Sequence, residues 1–226
     1  MAVSPGIYTA RKKNGSIYYR ASITYKKKHI SLGSYPDEPT ASRAYQESRF
    51  ILDHTEITLT QHNLFSCLPH DKFICLLNFR DNGIYFKTPI YLYKKYFEYY
   101  LAESEILKFD RDDLFFYASK KIQKKGGYLF VSDYGSQYSI LSRYGIRPFA
   151  VYGRDYRMTN ADALDFRYSN IEIINAYAGV QKKEVANGQI VYQAKIHVNG
   201  DFVVGTYADE ISAAIAYNKA ADTLTS

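Results

Sequence analysis

The sequence predicts an α+β fold in which a three-stranded antiparallel sheet with one helix across it occurs twice, flanking a different central α+β stretch. Three observations predict it. The chain repeats itself at its two ends, each repeat places turn signals between alternating runs, and in each the hydrophobic period then changes from two to that of a helix. The expected divisions are 1–55, 60–175 and 176–226.

From Gly6 to Phe50 the chain reads GIYTARKKNGSIYYRASITYKKKHISLGSYPDEPTASRAYQESRF. From Gly179 to Leu224 it reads GVQKKEVANGQIVYQAKIHVNGDFVVGTYADEISAAIAYNKAADTL. Asn14-Gly15 falls on Asn187-Gly188, Tyr19 to Ile23 on Tyr192 to Ile196, Leu32 to Tyr35 on Val204 to Tyr207, and Ala44-Tyr45 on Ala216-Tyr217.

In each copy a short first strand ends at Asn-Gly, a pair that tolerates the positive φ of a tight turn. The second strand alternates, with Tyr19, Ala21 and Ile23 on one face and Arg20, Ser22 and Thr24 on the other. A second turn, at Lys26 to Lys28 or at Asn199-Gly200, leads to a third strand expected to end at Gly33 or Gly205. The helix that follows is clearest in the second copy, where Ala213, Ala214, Ala216, Tyr217, Ala220, Ala221 and Leu224 fall at helical spacing. Asp209 is placed to cap it.

The central stretch has another pattern. Lys72 to Phe79 and Gly83 to Tyr91 are expected to pair as strands around Asp81-Asn82-Gly83, and Tyr91 to Leu101, YLYKKYFEYYL, to form an aromatic helix facing the core. Lys120, Lys121, Lys124 and Lys125 add positive charge before Gly126-Gly127.

Hydrophobic residues at 46% and charged residues at 23% exclude a disordered chain. The 24 Tyr and 13 Phe, with no Trp, suit half-buried sheet faces. A net charge of +6 leans towards polyanionic partners, and the first copy concentrates it: Arg11, Lys12, Lys13, Arg20, Lys26, Lys27 and Lys28 all precede the first acid, Asp37. Cys67 and Cys75 have no companions at zinc spacing, so reduced thiols are expected, with no metal and no cofactor. Without a leader-like segment or a membrane-length apolar run, the expectation is a cytoplasmic protein with no membrane partner.

The succession of strand, turn, YRASI, turn, LGSY and a helix containing AY resembles the plant ethylene-response-factor domain, or APETALA-two fold, over about 45 residues at each end. The arm-binding domain of phage-type integrases shares its layout. In that family the open sheet face enters the major groove, whose base edges carry a distinguishable donor and acceptor pattern. The resemblance implies that Tyr8, Arg11, Ser22, Thr24, His29 and Ser31 face double-stranded DNA in the first copy. In the second it implies Gln181, Lys183, Lys195, His197, Asp201 and Val203. The neighbouring cations Lys12, Lys13, Arg20, Lys26, Lys27, Lys28 and Lys182 join them as phosphate contacts. Glu184 and Asp201 dilute the second face. A sheet edge guarded by lysines, or a face that docks protein, accounts for the same residues.

Asp155 to Asn175, DYRMTNADALDFRYSNIEIIN, resembles the D-H-x-N-G-x-x-x-D-N-R-x-x-N-L motif of phage-borne HNH homing endonucleases, which often carry an ethylene-response-factor domain. Asn160, Asp165, Arg167, Asn170 and Ile171 fit. The general-base histidine falls on Met158, the acid before it on Arg157 and the middle asparagine on Phe166. HNH chemistry needs an imidazole to activate water and a divalent ion, and neither Met158 nor Arg157 serves it. The expectation is a degenerate HNH-like segment without catalytic residues, in a non-enzymatic DNA-binding protein of a phage or mobile element with a regulatory or anti-defence role. The alternatives are a protein-binding inhibitor of a host nuclease such as a CRISPR effector, and an active homing endonuclease.

Overall fold

The computed structural model describes residues 5–133 and 135–225, which fold into α+β structure with five small antiparallel sheets. Two compact units divide the chain, one ending at Lys121 and the other beginning at Ile122, so the stretch 60–175 is shared between them.

The N-terminal unit begins with β1 (Ile7–Arg11), β2 (Ile17–Tyr25) and β3 (Lys28–Tyr35), paired in that order. Ile7 lies opposite Ala21 and Ala21 opposite Gly33, after which Leu32 is extra and Ser22 faces Ser31. β3 therefore runs on to Tyr35 and does not stop at Gly33. The glycine (φ 141°) belongs to a β-bulge, which bends a strand without ending it. Helix α1 (Glu38–Asp53) starts at Asp37, whose Oδ1 accepts from Thr40 N at 2.8 Å. Its Ala41, Ala44 and Ile51 pack on Ile7, Ala21, Ile23, Ile30 and Leu32.

Residues 72–79 are not a strand; they belong to α2 (His70–Asn82), which ends at Gly83 in the left-handed conformation, φ 72°. Every residue from Phe73 to Arg80 is buried, so the run has neither alternation nor a stripe, and a buried helix and a buried strand look alike in sequence. Arg80 ties α2 to the end of α1 by donating to the carbonyls of Ile51, His54 and Ile57 at 2.9, 2.6 and 2.7 Å.

Residues 91–101 are not a helix. β4 (Ile90–Leu92), β5 (Tyr96–Ala102) and β6 (Glu105–Asp110) form a meander, with Tyr93 N donating to Tyr96 O across the first turn at 2.9 Å. Aromatic side chains pack well on a pleated surface, and Phe97 and Tyr99 alternate into the core as strand residues do. Phe97 stacks on Phe109 at 5.4 Å beside the short α3 (Leu114–Tyr117).

In the C-terminal unit β7 (Ile122–Lys125), β8 (Tyr128–Asp133) and β9 (Ser136–Ser139) form another meander, followed by the pair β10 (Tyr156–Met158) and β11 (Ile171–Ile173). β12 (Val180–Glu184), β13 (Ile190–His197), β14 (Asp201–Tyr207) and α4 (Glu210–Thr225) then rebuild the first module. The likeness reaches single atoms. The bulge recurs between Ala194 and Lys195, and Lys195 N donates to Gly179 O at 2.7 Å as Ser22 N does to Gly6 O at 2.9 Å. A β-carbon on Gly6 would strike the Tyr45 ring and the Ser22 carbonyl, and one on Gly179 the Tyr217 ring and the Lys195 carbonyl. Only glycine fits either crossing.

The second module has the thinner core. Val180, Ala194, Ala213 and Ala214 form its buried apolar cluster, and Leu224 is 54% exposed where its counterpart Leu52 is 4% exposed. Among the described residues no helix is long and apolar enough to cross a membrane.

Candidate nucleic-acid interface

Alternation along the strands sorts the expected contact residues. In the first module Ile7, Thr9 and Arg11 share the face of Ala21, which α1 covers, whereas Tyr8 lies opposite Arg20 on the open face. Arg11 thus does not join Tyr8: three positions apart, the two point to opposite sides. Thr24, His29 and Ser31 are exposed as expected, with Thr24 Oγ1 3.4 Å from His29 Nδ1. Ser22 lies at the bulge and is only 7% exposed, so the sheet does not present it.

The cations fall in three places. Lys12 and Lys13 occupy the β1–β2 tip, Lys26, Lys27 and Lys28 the β2–β3 tip, and Arg20 the middle of the open face. Arg20 Nη2 donates to Tyr18 OH at 2.7 Å, with its guanidinium carbon 5.4 Å from the Tyr18 ring centre. β2 rises about 3.3 Å per residue, which sets the two lysine tips roughly 26 Å apart. Lys28 lies 5.9 Å from the ring centre of Tyr85, an aromatic neighbour that no local spacing in the sequence points to.

In the second module Gln181, Lys183, Lys195, His197, Asp201 and Val203 share the open face, while Lys182 falls on the helix side with Val180. This face is largely occupied with itself. Lys183 Nζ donates to Gln193 Oε1 at 2.6 Å, and Asp201 holds both Lys195 Nζ and His197 Nδ1, the latter at 2.9 Å. The bonds from Lys195 and then His197 keep the Asp201 carboxyl below its ordinary range. A cleft of about 270 Å³ adjoins the sheet, lined in part by Arg147, Arg154, Lys195 and His197. Arg147 and Arg154, which sequence reasoning missed, converge on buried Asp155 at 2.8 Å each.

Residues 159–170 form a closed hydrogen-bonded turn. Asn170 Oδ1 accepts from Thr159 Oγ1 and Asn160 N at 2.8 Å each, and Asn170 Nδ2 donates to Asp165 O at 2.8 Å. Asp165 accepts from Asn160 Nδ2 and Arg167 Nε at 2.8 Å each. Burial alone would raise the Asp165 carboxyl, but these bonds and the Arg167 charge outweigh it and hold it below the usual range. Met158 and Phe166 are each 4% exposed, and Arg157 pairs across the strands with Glu172 at 2.8 Å. Among the described residues the one group with donors for a metal ion, His62, His70 and Glu103, lies outside this segment. Burial pushes the Cys75 thiol up to about 12, which makes it inert.

Comparison with known proteins found no family model, no curated protein and no solved structure that matches the chain.

Proposed function

We propose that the chain is a non-enzymatic double-stranded-DNA-binding protein of a phage or mobile element, with a regulatory or anti-defence role and the N-terminal sheet as its principal DNA face. The observation that carries this reading is an open three-stranded face with Arg20 at its centre, Tyr8 opposite it on the edge strand β1, and lysines at both hairpin tips. A strand ribbon fits the major groove, about 12 Å wide, and tips set farther apart than that are placed to reach phosphates on its two walls. Lys26→Glu, Lys27→Glu and Lys28→Glu together are expected to abolish most duplex binding in low salt, measured by fluorescence anisotropy. In the parent protein log Kd should vary with log salt by about 0.9 per neutralised phosphate. Absence of binding to any duplex at low salt sinks the reading.

Descent from an HNH nuclease is supported by the register of Asn160, Asp165, Arg167 and Asn170, and by Ala161, which takes φ 61° at the position of the motif's glycine. The buried Met158 at the histidine position supports the loss of cutting. Plasmid incubated with the protein and magnesium is expected to stay supercoiled; nicking that depends on the protein would restore the endonuclease reading.

A second reading, a protein-binding inhibitor of a host nuclease, is favoured by the C-terminal module. Asp201 pairs with Lys195 and His197 on its open sheet face, and α4 exposes Ile211 and Ile215 at 60% and 50%. Charge reversal at the N-terminal tip that ends DNA binding but leaves inhibition intact would select it.

A further inference from the structure

Three donor side chains from separate parts of the N-terminal unit meet at one point. His62 lies in the 3₁₀ turn Leu59–Leu64, His70 opens α2, and Glu103 sits in the turn between β5 and β6. One ligand atom from each lies within 4.8 Å of the other two. The His62 and His70 rings meet at 4.8 Å, and Phe73 and Tyr100 back them at 5.3 and 5.9 Å. Both histidines are partly exposed beside these rings and Glu103 is exposed.

His62 is oriented as a ligand would be. Its Nε2 is 3.1 Å from the Leu68 carbonyl oxygen, which can only accept, so Nε2 carries a proton. That contact is the one by which a metal-bound histidine is usually fixed in tautomer and direction. Nδ1 is then turned to Glu103 Oε1 at 2.7 Å. An imidazole lone pair and a carboxylate so close need something positive between them, a proton or a metal ion.

We propose that His62 Nδ1, a ring nitrogen of His70 and a carboxylate oxygen of Glu103 bind one zinc-class divalent ion, with a fourth position left to water. Two imidazoles and a carboxylate suit a borderline ion such as zinc; magnesium and calcium prefer all-oxygen shells. Ligands on a tetrahedral zinc stand about 3.4 Å apart, so Glu103 has to withdraw from the 2.7 Å contact with His62 by roughly 0.7 Å, and any pair at the full 4.8 Å has to close by roughly 1.4 Å. Its side chain is 70% exposed, which leaves it room. The ion would fasten the β5–β6 turn to the loop before α2 and to the first residue of that helix.

The test uses the untagged full chain, stripped with a chelator and then dialysed against micromolar zinc. One zinc per chain by elemental analysis is expected, with a rise in Tm that magnesium does not reproduce. His70→Gln and Glu103→Ala should each weaken zinc binding by roughly tenfold or more, whereas Cys67→Ser should not change it. Glu103→Ala changes an exposed turn residue, so it probes the site without disturbing the core. Failure to retain zinc overturns the proposal. So does stoichiometric zinc that survives the His70→Gln, Glu103→Ala double variant, or that is lost with Cys67→Ser.

Discussion

Lys26 and Lys27 both adopt left-handed backbone, φ 43° and 64°, in the β2–β3 turn. The corresponding turn of the second module uses Asn199 and Gly200, residues that take positive φ readily. A lysine in that region costs roughly 1–2 kcal/mol, and the contacts made offset little of it: Lys26 Nζ donates to the Arg80 carbonyl at 3.3 Å and lies 5.2 Å from the Tyr25 ring centre. A destabilising choice kept at a turn tip suggests that the ammonium groups are wanted for another purpose. Lys26→Asn with Lys27→Gly is therefore expected to raise stability by about 1–2 kcal/mol in urea unfolding while weakening duplex binding. Greater stability with unchanged affinity would instead make these lysines guards of the sheet edge.

At the scale of elements, the closed turn between β10 and β11 and the Asp155 cluster are expected to set the acid limit of the C-terminal unit. Burial alone would raise the Asp155 carboxyl, but the bonds from Arg154 and Val151 N and the two arginine charges hold it down, as with Asp165. A carboxyl with a depressed folded-state pKa stabilises the fold fully above its unfolded value, about 3.9 for Asp, and loses that stabilisation as pH falls through the lower folded value. Urea midpoints should therefore drop as pH is taken below 4. Asp165→Asn should cost about 2–3 kcal/mol at pH 7 and flatten the acid limb; an acid limb as steep as the parent's would place the lability elsewhere. The terminal modules were legible because turn chemistry, strand alternation and helix period agree in both copies. In the middle those signals disagree: Phe73 to Phe79 is buried on all sides and has no period, and the aromatic run from Tyr91 folds around a turn at Lys94-Lys95 that carries no glycine or proline. The tip lysines were legible as charge in a turn. Arg11 and Lys182 were misplaced because charge was counted without its strand face, Ser22 because the bulge left no mark on the alternation, and Arg147 and Arg154 because tertiary folding alone brings them beside Lys195.

For the whole molecule the decisive asymmetry lies between two copies of one fold. Both modules have the same bulge, the same glycine crossing and the same order of elements, yet one bears lysines at both hairpin tips and the other holds Lys195 and His197 on Asp201. If both faced duplex, linkage on one chain would let a weak second contact add to the first through its high effective concentration. Asp201 is then the residue that limits the second grip. Asp201→Asn releases Lys195 and His197 from their carboxylate without touching the thin core formed by Val180, Ala194, Ala213 and Ala214. Full-length Asp201→Asn is expected to bind duplex more tightly at low salt, and its log Kd should depend on log salt more steeply by about 0.9 for each freed cation that reaches a phosphate. A slope equal to the parent's, with the fold intact, would confine DNA to the N-terminal sheet. The second sheet, with exposed Val203 on its open face, would then be a surface for protein.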